Sequence, residues 1–147
     1  MHHSFDAKSI RFEITNTGVG HAFPTYAVPR VVMHAIALDA AGVPVRDTEV
    51  TRVIAREVRF ENNDWSEISD TRLMPSQSAA IELPWSGHER ARFWLEVIPD
   101  DYYATVLYPA LLKDAPLDRP STALIAKAPA TAAASPYRLF ETEVHRP

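Results

Sequence analysis

Strict alternation of apolar and polar side chains is the feature that most limits how this chain can fold. In Ser9–Thr15 the apolar residues are Ile10, Phe12 and Ile14, and over residues 91–98 they include Phe93, Leu95 and Val97. A period of two lines these side chains along one face of an extended strand, whereas a helix would scatter them. Residues 78–85 are read as a further strand. Arg30–Leu38 is apolar on both faces, with Val32, His34, Ile36 and Leu38 on one and Val31, Met33, Ala35 and Ala37 on the other. That pattern predicts a central strand covered by two layers.

Turn chemistry separates these runs. Asp39-Ala40-Ala41-Gly42 predicts a hairpin turn into Val43-Pro44-Val45-Arg46, and Ser86-Gly87-His88-Glu89 predicts another between two strands. Residues 49–60 fit either period, and their β-branched content favours a strand. Asn62-Asn63-Asp64 is read as a loop. Five or six strands with short connections predict a mostly β fold, an antiparallel Ig-like β-sandwich. After Pro99 the pattern changes. Asp100 and Asp101 suit a helix start, and Tyr102, Val106, Leu107 and Leu111 form an apolar stripe. Residues 121–134 are Ala-rich and helical in pattern but broken by Pro129, and residues 137–144 suit a short terminal strand. The expected organisation is a β-sandwich domain over residues 1–113. A Pro/Ala-rich, partly helical C-terminal extension over residues 114–147 then packs on the domain or on a partner.

Composition excludes more than it assigns. Nineteen acidic residues against fifteen Lys plus Arg leave a net charge of −4, which disfavours a nucleic-acid binder that must neutralise phosphates. No apolar run reaches the roughly 20 residues of a membrane-spanning helix, and Met1-His2-His3-Ser4 carries no signal-peptide pattern. The 147 residues include no cysteine, so disulfides, thiolate chemistry, Cys-ligated zinc and a covalently attached c-type haem are all excluded on this chain. The histidines are His2, His3, His21, His34, His88 and His145, without the H-E-x-x-H spacing of a zinc protease. His2 and His3 are adjacent, so a strand would point them to opposite faces. There is no G-x-S-x-G and no glycine-rich phosphate loop. Asp100-Asp101 and the acids between residues 61 and 70 read as helix-start charge and a solvated loop. No catalytic constellation emerges, and the chain is expected not to be an enzyme.

The string Asn16-Thr17-Gly18-Val19-Gly20-His21-Ala22-Phe23-Pro24-Thr25 stands apart. Two glycines permit a sharp turn or the close approach of another group, and Pro24 stiffens the chain after His21. The plainer reading is that His21 bonds neighbouring backbone and holds the turn. The alternative is that the loop presents its imidazole to something else.

This string resembles the N-x-G-x-G-H-x-x-P-T element of a β-sandwich module found towards the C-terminus of many multihaem cytochromes c. The resemblance extends to His3-Ser4-Phe5, matching a His-x-Phe element, and to Asp39-Ala40-Ala41-Gly42. It continues through Asp70-Thr71-Arg72-Leu73-Met74-Pro75 and, over residues 91–103, a strand ending near the pair Tyr102-Tyr103. The chain departs from the module at Tyr26, where a glycine usually follows Pro-Thr, and at Ser76-Gln77, where Gly-Glu is frequent. It also lacks any C-x-x-C-H. The resemblance implies a non-catalytic accessory domain of a multihaem electron-transfer assembly, periplasmic or extracellular. The haem c would be held by a partner chain or by a segment outside this sequence. It also implies that His3 and His21 are candidate axial ligands in trans, with His2 beside them. Gly18, Gly20, Pro24, Asp70 and Arg72 would be its structural motif. The alternative is an Ig-like protein or cell-surface recognition module without haem, anchored by aromatics such as Trp65, Trp85, Trp94, Tyr102 and Tyr103.

Overall fold

The computed structural model describes residues 1–62, 64–85 and 87–147. Its strands are β1 (His2–Phe5), β2 (Ser9–Thr15), β3 (Arg30–Leu38), β4 (Val50–Ile54), β5 (Arg56–Glu61), β6 (Asp64–Asp70), β7 (Ser78–Pro84), β8 (Arg90–Ile98) and β9 (Tyr137–His145). They form a three-stranded sheet in the order β1-β2-β7, a four-stranded sheet in the order β4-β3-β8-β9, and a separate ribbon β5-β6. All pairings are antiparallel. The protein is therefore mostly β with antiparallel sheets and a short helical region near its C-terminus.

The alternating residues make the core. Ile10, Phe12, Ile14, Ala79, Ile81 and Leu83 from one sheet meet Met33, Ala35, Phe93 and Leu95 from the other. At the centre Phe12 stacks on Phe93 with ring centroids 4.8 Å apart, and both are fully buried. Within its sheet β3 is internal, pairing with β4 on one side and β8 on the other, and its Val31, Met33, Ala35 and Ala37 enter the core. At one edge Trp85 is buried, stacks on Phe5 at 5.9 Å and lies under the Arg146 guanidinium at 5.8 Å.

Several expectations change. Residues 49–60 are extended but divide at Ala55 into β4 and β5. Thr71 takes over there: its N–H donates to the Ala55 carbonyl at 2.9 Å, and its Oγ1 accepts from the Ala55 N–H at 3.0 Å. The strand thus leaves the sheet and pairs with β6, so the acidic stretch expected as a solvated loop is a strand of an exposed ribbon. Asn63 of the predicted loop lies outside the described residues. The hairpin predicted at residues 86–89 is not one, because β7 and β8 belong to different sheets. That connection crosses between layers, and its Ser86 lies outside the described residues. Residues 43–46 form only a bridge, Leu38 to Pro44, after a turn that Asp39 Oδ1 holds by accepting from the Ala41 and Val43 N–H groups.

Beyond Pro99 a helical run carries a π-helical turn at Tyr103–Leu107, followed by α1 (Tyr108–Asp114). Pro109 has no N–H to offer the preceding turn, and the widened turn lies just ahead of it. α2 (Arg119–Ile125) is capped by Asp118, whose carboxylate accepts from Ser121 N–H at 2.7 Å. α3 (Ala128–Ala133) begins around Pro129, which separates it from α2 as expected. The predicted boundary at 113/114 falls inside α1, and β9 returns to pair with β8 along its length. The extension is therefore tied into the sandwich by main-chain hydrogen bonds. No helix among the described residues is long and apolar enough to cross a membrane.

Truncating the central stack tests this packing. Phe12→Ala is expected to lower unfolding free energy by about 3–5 kcal/mol, read as a reduced urea midpoint with an unchanged slope.

Candidate functional site

The site is built at the end of β2, where the chain passes from Thr15 into Asn16. Asn16 is the one buried polar side chain among the described residues, 7% exposed. Burying an amide is costly unless its hydrogen bonds are made. Here they are. Nδ2 donates to the carbonyls of His21 at 2.8 Å and Leu73 at 2.9 Å. Its backbone N–H donates to Gln77 O at 3.0 Å, and its carbonyl accepts from Ser76 N–H at 2.8 Å. One residue thus holds three strands of chain together.

The second clamp comes from the Asp70-Thr71-Arg72-Leu73 segment. Phe23 and Leu73 exchange a reciprocal pair of backbone bonds, each 2.9 Å. Arg72 donates from Nη1 to Thr25 O at 2.9 Å. The same guanidinium grips Asp70 in a fork, Nε to Oδ1 at 2.9 Å and Nη2 to Oδ2 at 2.6 Å. Pro24 is buried and follows a cis peptide bond from Phe23. The sequence elements centred on His21 and on Arg72 are therefore two halves of one structure. Ser76 closes the turn after Pro75 at φ 69°, a left-handed conformation that favours glycine.

His21 sits exposed on this clamped loop. Its Nδ1 lies 2.9 Å from the Ala22 carbonyl and 3.5 Å from Thr25 Oγ1. A carbonyl only accepts, so Nδ1 carries the proton, and the neutral ring keeps its lone pair on Nε2. The ring thus bonds neighbouring backbone, as the plainer reading expected, and that bond also sets the tautomer a metal ligand needs. His2 and His3 stand on the edge strand β1, opposite Glu13 and Phe12, with their side chains exposed. Their register places them on opposite faces. His3 packs edge-on against Phe5 at 5.3 Å. No three His, Asp or Glu side chains among the described residues converge on a metal position.

An open apolar pocket of about 350 Å³ adjoins the loop, lined by Met1, Ile14, Gly18, Val19, Leu95 and Phe140 among others. Gly18, Asn16 and β9 are thereby brought to one end of the sandwich with the N-terminal strand.

One cluster gave no clear signal in the sequence. His34 bonds Glu49 Oε1 through Nδ1 at 2.7 Å, has Glu96 3.7 Å from Nε2, and stacks flat on Trp94 at 4.5 Å. Arg138 lies over the Trp94 ring at 5.2 Å. Trp94 does take the outer phase, but its own neighbours cover it. Trp65 is the tryptophan that stays open, 56% exposed on β6, beside Phe60 at 5.1 Å and Tyr102 at 6.1 Å.

Two predictions follow from the clamps. Asn16→Ala leaves two carbonyls without their donor and is expected to cost roughly 2–4 kcal/mol. Asn16→Asp, which places a carboxylate against the same carbonyls, is expected to be at least as destabilising at neutral pH in urea unfolding. The Arg72 hydrogen bonds hold the Asp70 carboxyl below its usual value of 3.8, against the opposing effect of burial. Its stabilising contribution is therefore complete above pH 3.8 and is lost as pH falls through the lowered folded-state value. The stability gap between wild type and Asp70→Asn is accordingly expected to be widest near neutral pH and to close in acid.

No family model matches the chain, and no curated protein matches it. Among solved structures its fold is similar to that of a penta-heme cytochrome c552 from Thermochromatium tepidum, with a TM-score of 0.59 and 17% sequence identity. The match covers 98% of this chain and 38% of that one, so the chain spans well under half the length of the cytochrome it resembles.

Proposed function

We propose that this chain is a non-catalytic accessory domain of a multihaem cytochrome c electron-transfer assembly. In this reading His21 offers Nε2 as a distal axial ligand to a haem c attached to another chain or segment. The observation that carries the proposal is the His21 ring itself. It is exposed, its Nδ1 is committed to the Ala22 carbonyl, and its loop is clamped by Asn16 and Arg72. Such a ring keeps one nitrogen free in a fixed direction with little left to order on binding. The fold shared with a penta-heme cytochrome and the order of the sequence elements support the same reading.

The donor set suits that group. A single exposed imidazole on a clamped loop matches one axial position, and without cysteine the chain cannot attach the haem itself. A haem bound between two axial histidines supplies one-electron transfer and has no open position for substrate. This chain would orient and shield its side of the group. His3 is the second candidate, and it ranks behind His21 because its ring packs on Phe5 without a bond that sets its tautomer among the described residues. His2 is directed to the other face of β1. The partner is then a multihaem cytochrome c chain or segment, and the compartment is periplasmic or extracellular.

A recognition module without haem is the second reading. Phe60 and Trp65, 53% and 56% exposed on the β5-β6 ribbon, favour it, since buried aromatic anchors often dominate interfaces.

The test is a visible spectrum of the complex purified with this chain. Sharp low-spin bands are expected for wild type, with a high-spin fraction appearing in His21→Ala and not in His2→Ala. A homogeneous but colourless native preparation would discard the haem reading in favour of the recognition module.

A further inference from the structure

Gly18 and Gly20 flank Val19 just before His21, and the fold itself requires neither glycine. Neither has a backbone φ in the left-handed region, unlike Gly42 at 82° and Gly87 at 85°. Neither is crowded: a Cβ added at either position would meet no atom within 4 Å, whereas one at Gly42 would stand 3.2 Å from Arg90 Nη1. A glycine under such conditions is a liability, since it loses more chain freedom on folding than alanine does. Conformation and internal packing being satisfied without them, the remaining physical use of a missing side chain is to let another molecule reach the backbone.

The surroundings fit that use. Val19 is 41% exposed between the two glycines, and Gly18 and Val19 form one wall of the apolar pocket that also includes Phe140. The loop is held by Asn16 at its start and by the Phe23–Leu73 pair near its end, so it is a fixed surface.

We propose that the backbone of residues 17–20 is a close-contact surface for the edge of the haem c carried by the partner. Gly18 and Gly20 leave room for it, and the adjoining pocket takes its apolar rim. This rests on the reading of His21 given above, and the experiment separates the two.

The probe is a haem c peptide with its own proximal histidine and an open distal position, titrated with the full chain and followed in the Soret band. Wild type is expected to convert it saturably to the low-spin form, and His21→Ala to lose that conversion. Gly18→Ala and Gly20→Ala are expected to keep or raise the melting temperature. Gly18→Val and Gly20→Val are expected to weaken binding by about tenfold or more. Valine variants that bind like wild type, while His21→Ala does not bind, would overturn the close-contact surface and leave the ligand intact. A clear drop in melting temperature in the alanine variants would also overturn it, by showing that the fold needs the glycines. Loss of binding in the valine variants with His21→Ala still converting would keep the surface and move the ligand to another histidine. No conversion by wild type would remove both.

Discussion

A single buried amide organises the end of this molecule on which its function is proposed to rest. Asn16 enters the interior because β2 carries it there, one residue beyond the last paired position of the strand. Once inside, an amide must find acceptors, and the two within reach are the carbonyls of His21 and Leu73. Satisfying them fixes the start of one loop against the middle of another. An aspartate at this position would present only acceptors to those carbonyls, and a leucine would present nothing. The side chain that solves the burial problem also sets where His21 stands.

The rest of the sandwich supplies the rigidity that makes this placement meaningful. Phe12 and Phe93 join the sheets at their centre, and Leu73 extends the same core under the loop. The C-terminal strand matters as much as the early ones. β9 completes the four-stranded sheet, and Arg146 just beyond it reaches the Ala7 carbonyl and covers Trp85. Phe140 of β9 then forms one side of the pocket beside Gly18. The two ends of the chain are thus held at one flank of the molecule, with the candidate histidines of β1 and the His21 loop at its end.

Legibility in the sequence followed the physics of each element. β2, β3 and β8 stand out because burial on one or both faces demands a pattern of apolar residues, and β9 was expected close to its observed bounds. β6 carries no such pattern because all of its residues are exposed, so no alternation is required of it. β1 carries none for the same reason. Where residues 49–60 would break was invisible, because Thr71 decides it from the far end of the ribbon. Nothing in the sequence distinguishes His34, since its partners Glu49, Glu96 and Trp94 come from separate parts of the chain. The loop around His21 was recognisable as a unit, and so was the Asp70–Arg72 segment. That each clamps the other was not visible in either.

By itself the sequence determined the layered β architecture, the lack of any cysteine to attach a haem, and the inventory of six histidines. These follow from local periodicity and from residue inventory, which need no knowledge of what lies nearby. Only the tertiary structure decided that Asn16 bonds a carbonyl 57 residues away, that a ribbon leaves the sheet, and that Gly18 and Gly20 face open space. It also decided that His21 commits Nδ1 to the neighbouring Ala22 carbonyl. Hydrogen-bond partners and free volume belong to the folded chain, where residues far apart in sequence become neighbours, so no local pattern can carry them.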